Sequence, residues 1–250
     1  MCGIAGASFA PGRTVSRRRL ANALLTACQS RGRDASGFAA VENGERTIYK
    51  GPVPGSSLLL KELPANAEAM ILHTRAWTSG PPKFNENNHP VESPGGRIAL
   101  VHNGVIWNDK EIRSALGRDL AKEIPEVDTA VLPAVMETLG MDGTELIEGD
   151  AAAAWFDSDT GNTLHLAKFE NSPVAYAWLL DGTFVFASTE KILAEALINA
   201  ELNWIGTWPD PFEVFGERDY WQLQDGGIIN EGAVKWGETQ YGNGYGAWRH

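Results

Sequence analysis

The sequence predicts a layered α+β domain rather than a doubly wound parallel sheet. Three observations carry that expectation. Strand-like runs follow one another across short turn-forming segments, as antiparallel strands do. Helix-like segments are few and lie between groups of strands instead of alternating with each one. Finally, 250 residues, 43% of them hydrophobic, supply one large core without forcing a split into two domains.

Residues 3–9 read as a buried first strand. Ser16 is placed to cap a helix whose apolar positions, Leu20, Ala23, Leu24 and Ala27, recur at helical spacing. Arg31-Gly32-Arg33-Asp34 breaks that spacing and reads as loop. Strand-like runs follow at 37–41, 46–50 and 69–74. Residues 80–96 hold four prolines and three glycines, which predicts a long loop. Ile98 to Ile106 is a strand. Asn108 is placed to cap a short helix that Gly117 stops. Asp128 to Leu139 is a further helix ending at Gly140, with Pro133 inside it to impose a bend.

Four strands are then expected, at 151–157, 163–169, 174–180 and 183–188. The segments between them (Asp157 to Asn162, Asn171-Ser172-Pro173 and Asp181-Gly182) carry hairpin turn chemistry, so an antiparallel meander is expected. Ser188 should cap a helix running to Ala200. Residues 201–218 read as a polar loop, and 220–236 as a last hairpin around Asp225-Gly226-Gly227. The domain is expected to span 1–236. Residues 237–250, rich in glycine and aromatics, are expected to be a flexible tail.

Composition narrows the function. There are 32 Asp and Glu against 21 Lys and Arg, a formal net charge of -11. That sign opposes nucleic-acid binding, which needs clustered positive charge. No apolar run is long enough to span a membrane, and none resembles a leader, so a soluble cytoplasmic protein is expected. The two cysteines, Cys2 and Cys28, build neither a disulfide framework nor a metal cluster. The five histidines lack metal-ligand spacing, so neither metal nor cofactor is expected. Cys28 lies in an apolar stretch and reads as core.

Cys2 is the informative cysteine. If Met1 is trimmed, one residue carries both a thiol and a free α-amino group. A thiol titrates near 8.5 and becomes a strong nucleophile once ionised. An α-amino group titrates at about 7.7 to 8.0 and serves as a base near neutral pH. Nucleophile and base then need no histidine partner. Alone, the opening residues favour the plainer reading of a small buried cysteine in a first strand.

Five segments shift the balance: Cys2-Gly3-Ile4, Arg31 to Gly37, His73-Thr74-Arg75, His102 to Asn108, and Val127-Asp128-Thr129. In order and spacing they resemble the glutaminase domain of class II glutamine amidotransferases, which are N-terminal-nucleophile hydrolases. Asn88-His89-Pro90 and Phe186 to Glu190 add further echoes. The resemblance implies a four-layer αββα sandwich with two stacked antiparallel sheets. It implies that Cys2 attacks the glutamine amide, while the Asn103 side chain and the Gly104 N–H stabilise the oxyanion. Arg75 would hold the substrate carboxylate and Asp128 its ammonium, with Thr78 in the same substrate-binding segment. Arg31, Asp34, His73, His89 and His102 would be structural. An Arg31–Asp34 salt bridge and an Asp128 helix cap are the plain alternatives for those residues.

Two departures from the family pattern stand out. The run His73-Thr74-Arg75-Ala76-Trp77-Thr78-Ser79-Gly80 exchanges an alanine and a tryptophan, and Ser79 replaces a histidine. Val127 stands where a serine often precedes the aspartate. The resemblance implies release of glutamate and ammonia from L-glutamine. The ammonia would pass to an acceptor on a separate partner enzyme, since no synthase domain is recognisable after the last hairpin. Two alternatives remain: a stand-alone amidohydrolase of a γ-glutamyl metabolite, and a non-catalytic glutamine-sensing subunit.

Overall fold

Alternation of apolar side chains decides how the strands stack. The computed structural model describes residues 1–12, 15–161, 163–206 and 212–237. In chain order the elements are β1 (Gly3–Ser8), α1 (Arg17–Cys28), β2 (Ala35–Glu42), β3 (Glu45–Gly51), β4 (Ala69–Arg75), β5 (Val91–Glu92) and β6 (Ile98–Ile106). Then come α2 (Asp109–Ala115), α3 (Arg118–Glu123), α4 (Val131–Leu139), β7 (Gly149–Asp157), β8 (Leu164–Glu170), β9 (Ala175–Trp178) and β10 (Phe184–Ala187). The order closes with α5 (Glu190–Asn199), β11 (Glu213–Val214), β12 (Asp219–Gln224) and β13 (Gly227–Ala233).

The strands form two antiparallel sheets. One runs β11-β9-β10-β1-β4-β2-β3 and the other β13-β12-β8-β7-β6-β5. Along β4, Ile71 faces the space between the sheets while Met70 and Leu72 face α1 and α5. Along β6, Ala99 and Val101 face inward while Ile98 and Leu100 meet α4. Each sheet is therefore apolar on both faces. The period of two sends alternate residues into different cores. The result is the expected four layers: helices, sheet, sheet, helices. Burying each large aliphatic or aromatic side chain contributes about 1.5 to 3 kcal/mol.

Most expected elements form, but four local expectations need correction. The four-strand meander splits. β7 pairs with β8 in one sheet, whereas β9 pairs with β10 in the other. Residues 171–174 carry the chain between layers instead of closing a hairpin. Ser188 does not cap α5. Thr189 does, accepting from the Ile192 N–H at 3.3 Å, while the Ser188 hydroxyl accepts from the Ile4 N–H at 2.8 Å and ties β10 to β1. Asn108 precedes α2 without capping it; its amide donates to the Leu146 carbonyl and accepts from the Glu148 N–H. Pro133 occupies the third position of α4, in the first turn, where a missing N–H costs little.

The sequence reading also left out α3, a short helix with no buried residue, and β11 inside the expected 201–218 loop. Ser16 caps α1 as expected, accepting from the Arg19 N–H. The last hairpin turns through Asp225 and Gly226, both at positive φ (55° and 79°), as a tight two-residue turn requires. Of the expected tail, 237–250, all but Gly237 lies outside the described residues, as do 207–211 of the loop.

Candidate active site

Sheet register brings the candidate residues together. Gly3 pairs with Thr74 and Ala35 pairs with Arg75. Cys2, one residue before β1, therefore lies beside the end of β4. Asn103 and Gly104 come from β6 of the facing sheet. Asp128 opens the short 3-10 turn before α4. Residues more than a hundred positions apart thus meet at one end of the sandwich.

Cys2 is half-buried, and its thiol lies 3.7 Å from the Ala76 carbonyl. Burial pushes the thiol above its ordinary pKa; the nearby Arg75 guanidinium opposes that shift and Asp128 adds to it. The thiol is therefore held protonated at neutral pH. Cys28 is fully buried and pushed up to about 12, an inert core thiol.

Arg31 joins the two layers, a role the sequence reading missed. Its Nε donates to the Cys2 carbonyl at 2.6 Å, and a terminal nitrogen donates to Asn103 Oδ1 at 3.4 Å. The Arg31–Asp34 salt bridge, the plain alternative for these residues, does not form. Asp34 instead accepts from the Trp77 N–H at 2.7 Å and anchors the segment after β4. Nothing in the local sequence pairs Arg31 with an asparagine 72 residues away; only the shared end of two sheets could reveal it.

The Arg31 contact orients the Asn103 amide. Its oxygen is held, so its NH2 group is the end left over. That Nδ2 is buried and has no hydrogen-bond partner. An unpaired buried donor costs about 1 to 3 kcal/mol. Gly104 follows at φ 140°, and a Cβ there would fall 1.8 Å from the Asp150 carbonyl oxygen and 2.9 Å from His102 Nε2. Only glycine fits.

Arg75 is almost fully buried, and it donates to Asn88 Oδ1 at 3.1 Å, to the Gly80 carbonyl at 2.7 Å and to the Ser79 carbonyl. These acceptors are neutral and occupy three of its five N–H groups, which leaves two donors and the whole charge uncompensated by a contact ion pair. Asp128 does not cap its own helix. Its Oδ2 accepts from the Ile106 N–H at 2.9 Å, and its Oδ1 lies 3.4 Å from the Ser79 hydroxyl. Ser79, at the position where the family pattern has histidine, thus touches both charged residues. Thr78 and Trp77 are exposed on the segment between them.

His73, His89 and His102 are buried behind these groups, as the sequence implied for packed histidines. Burial keeps all three neutral; it takes His73 down to about 3. Among the described residues no group of side chains has the makings of a metal site. No helix among them is long and apolar enough to cross a membrane.

Residues 73–195 match the family model of a glutamine amidotransferase domain. The glutamine–fructose-6-phosphate aminotransferase [isomerizing] of Symbiobacterium thermophilum is 36% identical over 138 residues, which is 53% of this chain and 21% of that protein. Its namesake from Staphylococcus aureus (strain Mu50) is 30% identical over 156 residues, 58% of this chain and 26% of that one. The chain therefore aligns with about a quarter of the length of these relatives.

Among solved structures, the glutamine phosphoribosylpyrophosphate amidotransferase of B. subtilis superposes with a TM-score of 0.71 at 17% identity, covering 93% of this chain and 49% of that one. A glutamine aminotransferase class-II domain protein from Silicibacter pomeroyi reaches 0.58 at 14% identity, over 95% of this chain and 100% of that one. At such identities the structures speak for the fold alone. Residues 73–195 thus match a glutamine amidotransferase domain, and the sequence relatives and the fold support a class II domain of that kind.

Proposed function

We propose that the domain hydrolyses the side-chain amide of L-glutamine through a thioester on Cys2, releasing glutamate and ammonia. The observation that carries this reading is the Asn103 amide. Its oxygen is fixed by Arg31, Arg31 also holds the Cys2 carbonyl, and its buried NH2 has no partner. Leaving a donor unpaired is costly unless a charge is to develop in front of it.

Removal of Met1 frees the α-amino group of Cys2. The raised pKa of the buried thiol means that attack needs a base, and that amine supplies one on the same residue. It takes the thiol proton as sulfur bonds to the amide carbon. The carbonyl π electrons move onto oxygen, where Asn103 Nδ2 and the Gly104 N–H receive them. Each such donor is worth about 3 to 4 kcal/mol of barrier. The oxyanion collapses, the C–N bond breaks, and the amine returns the proton to the departing ammonia. Water then attacks the thioester by the same route, giving glutamate and the free thiol.

Arg75 and Asp128 hold the substrate's α-carboxylate and α-ammonium. The uncompensated charge of Arg75 and its unused N–H groups, on Nε and Nη1, suit an anionic carboxylate. Together the pair selects a free amino acid over an amide within a peptide. The Thr78 segment closes the substrate site, and Ser79 sits between the two charges. The ammonia passes to an acceptor on a separate synthase in the cytoplasm.

Glutamate release from glutamine by protein lacking Met1, with and without candidate synthases, tests the reading. Turnover lost in Cys2→Ala is expected. Turnover of substituted γ-glutamyl amides far above that of glutamine would move the assignment to a γ-glutamyl hydrolase. Glutamine binding with no glutamate under any condition would move it to a sensor.

A further inference from the structure

Behind the candidate site, Thr129 joins two of the three buried histidines. Its hydroxyl lies 3.0 Å from His89 Nε2 and 2.9 Å from His102 Nδ1. His102 Nε2 lies 3.3 Å from the Asp150 carbonyl oxygen. His73 Nε2 lies 3.0 Å from the His102 carbonyl oxygen, and the His73 ring stacks on His89 with centroids 3.9 Å apart. Thr129 itself is 2% exposed.

These contacts admit one assignment of protons. A carbonyl oxygen only accepts, so His102 donates from Nε2 to Asp150. A neutral imidazole carries one N–H, so His102 Nδ1 is an acceptor. The Thr129 hydroxyl therefore donates to His102, and its oxygen is free to accept from His89 Nε2–H. His73 likewise donates from Nε2 to the His102 carbonyl. All three rings carry their proton on Nε2; the Asp150 carbonyl sets the direction of the chain, and the Thr129 hydroxyl passes it on to His89.

The chain ends where the site begins. The Asp150 carbonyl and His102 Nε2 are the two atoms that a Cβ at Gly104 would strike. His102 immediately precedes Asn103. His89 follows Asn88, which holds Arg75, and Thr129 follows Asp128. Three segments that each carry or support a site residue are thus fastened to one another by a single side chain.

We propose that Thr129 is a positioning residue, whose hydroxyl donates to His102 Nδ1 and fixes the Nε2–H tautomer of His89, and thereby holds the His102 ring and the Asn103–Gly104 backbone at which the oxyanion forms. The proposal rests on the glutamine-hydrolysis reading for its kinetic consequence, but not for the tautomer assignment. Thr129 transfers no proton to substrate. Its loss should weaken what is made only in the transition state, so kcat falls while KM holds.

The test compares Thr129→Val, which keeps the shape and removes the hydroxyl, with Thr129→Ser, which keeps the hydroxyl. Histidine 15N spectra of the wild type should show three neutral buried rings of the Nε2–H form. In Thr129→Val, His89 should change tautomer or show a mixture, and Thr129→Ser should restore the wild-type pattern. In turnover, Thr129→Val should lower kcat for glutamine 10- to 100-fold with KM within 3-fold, and Thr129→Ser should recover most of the loss. Labelling of the Cys2 thiol by iodoacetamide should proceed at the wild-type rate in both.

Unchanged spectra in Thr129→Val overturn the proposal, as does a wild-type kcat or a rise in KM alone. Equal damage from Thr129→Ser and Thr129→Val also overturns it. If the wild type turns over no glutamine while the spectra change as described, the hydrolysis reading fails and the tautomer assignment stands.

Discussion

The molecule holds two buried histidine clusters, and they are built to opposite ends. On the outer face of the second sheet, His165, Trp155 and Tyr220 pack together with nearly parallel rings. Its Nδ1 meets the Tyr220 hydroxyl at 2.7 Å and its Nε2 meets the Thr160 hydroxyl at 2.8 Å. Gln222 completes the set by donating to Tyr220 at 2.7 Å. Both ring nitrogens of His165 are used. Behind the candidate site, His73, His89 and Asn103 each keep one polar atom buried without a partner. Those are three of the five such atoms among the described residues. One cluster is a finished structural joint. The other leaves one donor, Asn103 Nδ2, unpaired where the proposed oxyanion would form, and two ring acceptors unpaired behind it, so stability is given up locally.

The comparison can be broken at the nucleophile first. Cys2→Ala should reduce glutamine turnover to background, because every later step depends on the sulfur. Asn103→Ala should come next, with kcat lowered about 100- to 1000-fold. Its stability should change by less than about 1 kcal/mol, since the lost amide includes a donor that was never paired. Chemical denaturation beside steady-state kinetics reads both. Arg75→Lys should raise KM for glutamine about 10-fold or more, with a smaller change in kcat, because lysine cannot reproduce the guanidinium's spread of N–H donors.

Tyr220→Phe is the counterpart in the finished joint. It strands His165 Nδ1 and the Gln222 amide and should cost about 1 to 3 kcal/mol of stability while kcat is unchanged. If Tyr220→Phe impaired catalysis and Asn103→Ala impaired only stability, the contrast between the clusters would be reversed.

Acid sharpens the same contrast. His165 and His73 are held down to about 4 and about 3 by burial, against an ordinary value of 6.5. The unfolded chain therefore binds protons that the folded one refuses. Stability present above pH 6.5 is lost as pH falls toward 4 for His165, and on toward 3 for His73. Each contributes up to about 1.4 kcal/mol per pH unit. Urea midpoints measured at pH 7, 6 and 5 should fall in that order, and a flat profile would contradict neutral burial.

Much of this was legible in the sequence, and the parts that were not share a cause. Alternation and turn residues located the strands, and Ile98–Ile106 was read to the residue because its apolar pattern is local. The sheet that each strand joins is not local. β8 and β9 are separated by residues that look like a hairpin turn, yet Leu166 and Tyr176 enter the same core from opposite sheets. Ser188 and Asn108 look like caps, but tertiary partners claim their side chains. The site residues were legible only through resemblance. Cys2, Arg75, Asn103 and Asp128 are far apart in sequence, and β1–β4 register and sheet stacking bring them together. For Arg31 the local sequence offers only Asp34 as a partner, whereas its partners come from Cys2 and from the facing sheet.

The most direct test of the central claim is the intact mass of native protein before and after treatment with 6-diazo-5-oxo-norleucine, a glutamine-shaped electrophile. The account predicts a mass lacking Met1 and, after treatment, a single adduct mapped to Cys2, absent in Cys2→Ala and slowed in Arg75→Lys. Retained Met1 with no adduct on Cys2 would contradict it.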